Sequence, residues 1–401
     1  MKWLQQGAFI HRFSIWVLLA SLLTAALLTL AGRLLIENAE YFRSEIENEL
    51  ADYGIRGAKL ENLRGSWRGY HPSIIVRDAS LSIPGRAQAL SVNELELTVK
   101  LIPSLISGDL MLRSLYAEIE KLILVRNQQG HWLLNDIPLA PAEDSQRGGD
   151  FEVFFGRLPD FVTMDIRLFQ IRDQVSGQDY LIQNSGLQSS RDEQGLALRF
   201  NTRLPAILGQ DVELLFSAND RDQRLHVRAE QLNLAQLEQL GSLSSRDLQS
   251  ARLSLQSWID LERYRITRVV NQVRLSELSW NRISSPVAAI SADILQQGRL
   301  DQDRWRFHSR VSKLRQGANE FPDLNLELLW DPQQNKSAIW LERFDVAAMQ
   351  PLFRDLLTGR TEFAWLENLQ AEAKLTDFVA EIDTEQPGNS LALPASSDHL
   401  R

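Results

Sequence analysis

Residues 251–261 read Ala251-Arg252-Leu253-Ser254-Leu255-Gln256-Ser257-Trp258-Ile259-Asp260-Leu261. Ala251, Leu253, Leu255, Ser257, Ile259 and Leu261 share one parity, and Arg252, Ser254, Gln256 and Asp260 share the other. Side chains on a strand point alternately to its two faces, so this run predicts a strand with one apolar face and one wet face. The same pattern recurs at Leu95, Leu97, Val99 and Leu101, at Leu196, Leu198 and Phe200, at Trp305, Phe307 and Val311, and at Leu324, Leu326, Leu328 and Trp330. One-sided strands of this kind belong to antiparallel sheets. Turn signals separate them at Asn127–Gly130, Asp192–Gly195, Asn219–Asp222 and Asp331-Pro332. Two short helical stretches punctuate the pattern, one opened by Leu232-Asn233-Leu234-Ala235 and one by Phe344-Asp345-Val346-Ala347, with Asn233 and Asp345 as N-caps. The chain is therefore mainly β from Ile74 onward, with short interspersed helices.

Upstream, the segment 13–32 carries no charge between Arg12 and Arg33. At a rise of about 1.5 Å per residue it is about 30 Å long, the thickness of a hydrocarbon core. A cleaved signal has a shorter apolar stretch and a small-x-small exit, which Thr29-Leu30-Ala31 matches poorly. The expectation is an uncleaved transmembrane anchor. Lys2 and Arg12 before it nearly balance Arg33 and Arg43 after it, so the positive-inside rule does not decide its orientation. The simpler arrangement has a cytoplasmic tail over 1–12 and the body across the membrane. Leu34, Leu35, Ala39, Phe42, Ile46 and Leu50 continue at helical spacing opposite a set of glutamates, which predicts an amphipathic helix over 33–54 ending near Gly54. Such a helix packs on the body or closes its membrane-proximal end. A β-domain over 55–380 and a polar, disordered tail over 381–401 complete the expected organisation.

Composition narrows the function. Among 401 residues the net charge is −9, against a nucleic-acid partner. With no cysteine there is no disulfide, thiolate metal site or cysteine nucleophile. The six histidines are scattered singly, without the spacing of a metal site. Gly65-Ser66-Trp67-Arg68-Gly69 places its serine one position too early for a nucleophile elbow. Phosphate loops and dinucleotide fingerprints are lacking. The residues thus predict no catalytic, cofactor or metal site, and they point away from an enzyme.

The block 45–83, EIENELADYGIRGAKLENLRGSWRGYHPSIIVRDASLSI, resembles the start of AsmA-like envelope proteins, most closely their YhdP-like members. The positions that carry the resemblance are Gly54, Leu63, Ser66, Trp67, Pro72, Asp78 and Leu81, followed by the block 92–132 with Pro103-Ser104-Leu105 and Gly130-His131-Trp132. The likeness extends over about residues 1–380. It implies a single-pass bacterial inner-membrane protein with a periplasmic body, and a long, curved antiparallel sheet forming an open groove. It also implies phospholipid acyl chains as partners and a contribution to the outer-membrane permeability barrier, with no cofactor. Scaffolding of outer-membrane protein assembly, with other envelope proteins at the distal end, is the alternative that relatives suggest. Longer family members carry further C-terminal segments, so this chain is expected to correspond to their first portion. On this resemblance the groove would be lined by Leu95, Leu97, Val99, Leu101, Leu253, Leu255, Ile259, Leu261, Leu324, Leu326, Leu328 and Trp330. Alternation alone fits a closed sandwich equally well.

Overall fold

The computed structural model describes residues 16–24, single positions and pairs between 26 and 48, then 58–60, 62–68, 71–81, 90–108, 111–135, 137–138, 159–219, 222–240, 248–262, 265–280, 289–332, 336–357 and 374–383. Gly54, most of the expected amphipathic helix, the segment 139–158 and residues 384–401 of the expected tail lie outside these residues, while 381–383, expected to be disordered, end a strand. Two compact units divide the chain: residues 1–170 with 187–190, and residues 171–186 with 191–401.

Unit 1 contains β1 (Ala58–Lys59), β2 (Leu63–Arg68), β3 (His71–Leu81), β4 (Leu90–Val99), helix α1 (Leu101–Ser107), β5 (Leu112–Arg126), β6 (Trp132–Leu134), β7 (Ile137–Pro138) and most of β8 (Phe161–Asp173). Strand β3 pairs antiparallel with β1, β2 and β4, β4 pairs with β5, and β5 pairs with β6 and β8. Register puts Leu63, Val76, Leu95 and Ala117 in one row across the sheet, and Gly65, Ile74, Leu97 and Leu115 in the next. The first row is buried, and Leu95, Leu97 and Val99 belong to the core at 3%, 1% and 7% exposure, with Ile74 and Leu115 of the second row packing against it partly exposed. The β-structure begins before Ile74. The alternation of Leu63, Gly65 and Trp67 is hidden in the sequence because Gly65 has no side chain to show it.

Leu101 corrects another expectation. Strand β4 ends at Val99, and Leu101 opens α1 instead of extending the alternation. Pro103 is tolerated in the first helical turn, where its missing N–H has no intrahelical acceptor to lose. Gly108 stops the helix in the left-handed conformation (φ 79°) and donates its N–H to Ser104 O at 3.0 Å.

The Ser66-Trp67 motif has a physical role here. Trp67 faces Pro72 across the β2–β3 pair, and Ser66 faces Ser73. Gly32 is helical and buried, and a Cβ on it would collide with the Trp67 ring. Upstream helical chain and β2 therefore approach at a point where only glycine fits. Nearby, Leu60 N–H donates to Glu47 Oε1 at 3.4 Å, tying the same upstream chain to the core residue Leu60.

Unit 2 holds most of β9 (Gln178–Asp192), then β10 (Gly195–Arg203), β11 (Asp211–Ala218), β12 (Gln223–Asn233), α2 (Leu234–Leu240), β13 (Leu248–Glu262), β14 (Arg265–Trp280), β15 (Ile290–Asp301), β16 (Arg304–Gln316), β17 (Asn319–Glu320), β18 (Leu324–Asp331), β19 (Lys336–Asp345), α3 (Val346–Leu357) and β20 (Lys374–Asp383). Each of the longer strands pairs antiparallel with the next, giving an open sheet. Both expected N-caps form. Asn233 Oδ1 accepts from Gln236 N–H at 3.4 Å, and Asp345 Oδ1 accepts from Ala348 N–H at 3.0 Å. Three of the four expected turns show the side-chain bond that makes them, with Asn127, Asp192 and Asn219 each accepting a backbone N–H into the side-chain oxygen.

Gly32→Val should destabilise unit 1 by about 1–3 kcal/mol, the usual cost of overpacking a tight contact. A denaturant titration of the detergent-solubilised chain reads this directly. An unchanged midpoint would show that the Gly32–Trp67 contact carries no stability.

Candidate functional site

The feature of unit 2 that sets it apart is one face of its sheet. Cα partners lie on the same face, so the register can be followed from strand to strand. A first row runs from Thr202 on β10 through Val212, Ala229, Leu255, Val273, Ile294 and Val311 to Leu324 on β18. A second runs from Phe200 through Leu214, Val227, Ser257, Asn271, Gln296, Ser309 and Leu326 to Leu341 on β19. The third runs from Leu198 through Phe216, Leu225, Ile259, Val269, Gly298, Phe307 and Leu328 to Ile339. No charged residue interrupts them. At about 4.8 Å between strands, the longer rows span about 38 Å.

Thr202, Ala229, Ser257, Gly298 and Ser309 are buried; every other member of the three rows is partly exposed. In unit 1 the row through Leu63, Val76, Leu95 and Ala117 is buried throughout, while Gly65, Ile74 and Leu115 of the next row are partly exposed. Gly298 shows how closely the floor is fitted. Its partner across the β15–β16 pair is Phe307, and a Cβ at Gly298 would stand 2.5 Å from the Phe307 ring. Phe307 in turn stacks on Trp305, with ring centroids 5.3 Å apart. Trp305 faces Trp330 across the next strand pair.

The other end of the strands is closed. Register shifts fall after Ala229 on β12, after Leu275 on β14 and between Ser291 and Asp293 on β15. Gln231, Glu277 and Lys313 take positive φ values of 53°, 58° and 51° there. Such bulges bend a strand and add twist. Ile290, Ala292, Leu314 and Phe321 pack with Met349 and Leu352 of α3 into a buried cluster, and Ile294, Val311 and Leu324 of the first row pack against it. Helix α2 packs on β12 and β13.

The opposite face carries the charge. Arg199 pairs with Glu213 at 2.7 Å, Arg306 with Glu327 at 3.3 Å, and Asp293 with both Lys313 at 2.8 Å and Arg274 at 3.4 Å. Most of these side chains are exposed, so each pair contributes about 0–1 kcal/mol. The Lys313 ammonium, hydrogen-bonded to Asp293, holds that carboxylate below its ordinary range, with Arg274 adding to it and partial burial opposing it. His226 stacks on Trp258 on this face, with centroids 5.2 Å apart.

Five of the expected lining residues fall in the three rows, and three more lie on the same strands outside them. Leu255 and Leu324 lie in the first row, Leu326 in the second, and Ile259 and Leu328 in the third; Leu261 and Trp330 lie beyond the third, at the open end. Leu253 sits past the β12 bulge, between Leu232 and Leu275. Leu95, Leu97 and Val99 belong to the sealed core of unit 1 and Leu101 to α1, so these four do not join the face. Sequence reasoning missed β11, where consecutive Leu214-Leu215-Phe216 hides the period, and β14 and β15, where polar residues stand on the apolar face. Among the described residues no cluster of acidic or histidine side chains is fit to hold a metal ion. Among them, too, no helix is long and apolar enough to cross a membrane.

A long open antiparallel sheet with one charge-free, partly exposed face and one charged face defines a β-sheet protein built around an extended apolar surface. The chain belongs to the YhdP protein family, which it matches over residues 1–400. No curated protein and no solved structure matches it.

Asp293 supplies a pH test. A lowered carboxylate pKa contributes stability that is present above the unfolded value and lost as pH falls through the folded one. The denaturation midpoint should therefore drop as pH is taken below about 4, and Asp293→Asn should flatten that drop. An equally steep acid limb in the variant would remove Asp293 from the account.

Proposed function

We propose that this protein carries phospholipid between the two membranes of a bacterial envelope, holding the acyl chains against the apolar rows of unit 2, and that it is a carrier and not an enzyme. The observation that carries this reading is the charge-free face, partly exposed across nine strands from β10 to β19. Moving a lipid through water exposes its tails, at about 0.8 kcal/mol per methylene and on the order of 13 kcal/mol for a sixteen-carbon chain. A surface that offers the same apolar contact at every strand offsets that cost at every step. Family membership supports the same reading.

In this reading residues 13–32 anchor the protein in the inner membrane, with residues 1–12 cytoplasmic and the body periplasmic. Trp16, Leu18, Leu19, Leu22 and Leu23 are exposed on helical chain, as lipid-facing residues would be. The route runs across the strands toward the outer membrane and supports its permeability barrier.

A photo-crosslinking amino acid at Leu255 or Leu326 should capture phospholipid in cells, whereas one at Arg228 on the opposite face should not. Capture of protein alone at the apolar positions would overturn carriage in favour of an envelope-assembly scaffold. Removing residues 1–33 should release the body from membranes; retention of the truncated chain would overturn the anchor.

A further inference from the structure

The second row of the apolar face changes chemistry in its middle. On four successive strands, β13 to β16, it presents Ser257, Asn271, Gln296 and Ser309. Their side chains are joined end to end. Ser257 Oγ donates to Asn271 Oδ1 at 2.7 Å, Asn271 Nδ2 donates to Gln296 Oε1 at 2.9 Å, and Gln296 Nε2 donates to Ser309 Oγ at 3.3 Å. The result is an uncharged polar stripe about 14 Å long at the strand spacing. Leu255, Val273 and Ile294 flank it on one side, and Ile259, Val269 and Phe307 on the other.

A stripe that served only to pin strand register would be best sealed, because a polar network gains strength as water is excluded. This one is not sealed at its centre. Ser257 and Ser309 are 5% and 7% exposed, while Asn271 and Gln296 remain partly exposed. Two hydroxyls and two carboxamides carry six polar hydrogens, and the ladder bonds consume three of them. The second amide hydrogens of Asn271 and Gln296, the two partly exposed members, are left for an acceptor lying over the stripe. A neutral donor set between two apolar rows is matched by a neutral acceptor attached to hydrocarbon.

We propose that the stripe is a binding station for the ester carbonyls of a diacyl lipid, whose tails lie on the flanking rows. This rests on the carriage reading above and adds the part of the lipid that the groove recognises. The donors would hold an ester-linked lipid more tightly than its ether-linked counterpart, because an ether has no carbonyl oxygen.

The test uses the full-length chain in detergent micelles and native mass spectrometry of lipid adducts. The probes are diacyl phosphatidylglycerol, its dialkyl-ether analogue, and the corresponding diacylglycerol and dialkylglycerol. The wild-type chain should favour the ester over the ether by about tenfold, the effect of one or two retained hydrogen bonds, with or without the phosphate headgroup. Asn271→Leu combined with Gln296→Leu should bind both kinds equally while still binding lipid. If the double variant does not fold, Gln296→Met alone should reduce the preference. Lipid binding with no ester preference in the wild type would overturn the station while leaving carriage standing. An ester preference that survives the variants, or one seen only with a phosphate headgroup, would also overturn it. Absence of any lipid adduct would overturn carriage itself.

Discussion

Cross-strand register governs unit 2. Each strand carries its apolar residues at a period of two, and a slip by one residue would send all of them to the charged face. The rows through Leu255, Ser257 and Ile259 exist only because β10 to β19 keep phase with one another. Short turns fix much of that phase. Between β15 and β16, Gln302 and Asp303 both take positive φ values of 47° and 68°, the backbone of a two-residue hairpin whose twist suits the flanking strands. The polar face adds specificity more than stability. Arg306 opposite Leu329 and Arg274 opposite Asp293 would meet different partners after a slip. Exposed pairs worth little as folded contacts can still distinguish one register from the next.

The bulges mark where the sheet meets the helix-capped cluster. Gln231, Glu277 and Lys313 lie on alternate strands, just beyond the first apolar row. On their far side Ala251 and Met349 are at 0% exposure, while Leu232, Leu253 and Leu275 stay partly exposed. On the near side the rows stay partly open. A positive φ on a residue with a side chain is unfavourable, so three in one band imply compensation from the packing they allow. Here that packing is the cluster around Phe321, Met349 and Leu352. It anchors one end of the strands and leaves the other end free to present the face.

How much of this was legible follows from the same geometry. β13 and β18 were readable because nearly every inward position is apolar and nearly every outward one polar. The helix caps at Asn233 and Asp345 were readable because a capping side chain acts locally. Leu101 misled, since Leu-x-Val-x-Leu reads through Lys100 while the backbone turns into α1 at that residue. Leu95, Leu97 and Val99 were correctly placed on an apolar face, but alternation says nothing about whether that face is covered. The decision between a sealed core and an open surface is made by tertiary contacts far away in sequence. β14 and β15 were obscured by Asn271, Gln296 and Gly298, which stand inward and break the pattern. The residues that spoiled the periodicity are therefore those that give the face its polar stripe and its fitted glycine.

That coincidence bears on how a lipid surface of this kind works. A face made only of leucine and valine would hold an acyl chain with the same strength everywhere, and it would present an unbroken apolar patch to any neighbouring chain. On the carriage proposed above, rows of similar composition on successive strands would keep the tails in a shallow, even potential, which favours movement over capture. Conduction needs sites that bind enough to admit the cargo and weakly enough to release it. In the same reading, the hydrogen-bonded stripe on β13 to β16 would add a modest preference to that even background without adding charge. A buried charge at the same positions would demand desolvation and a fixed partner, and would turn a passage into a trap. Hydroxyls and carboxamides carry no charge to desolvate, and their ladder bonds satisfy part of their hydrogen-bonding capacity when no lipid is present. On the proposed reading, this self-satisfaction lets the face lie open to solvent between passing lipids and still recognise an ester when one arrives.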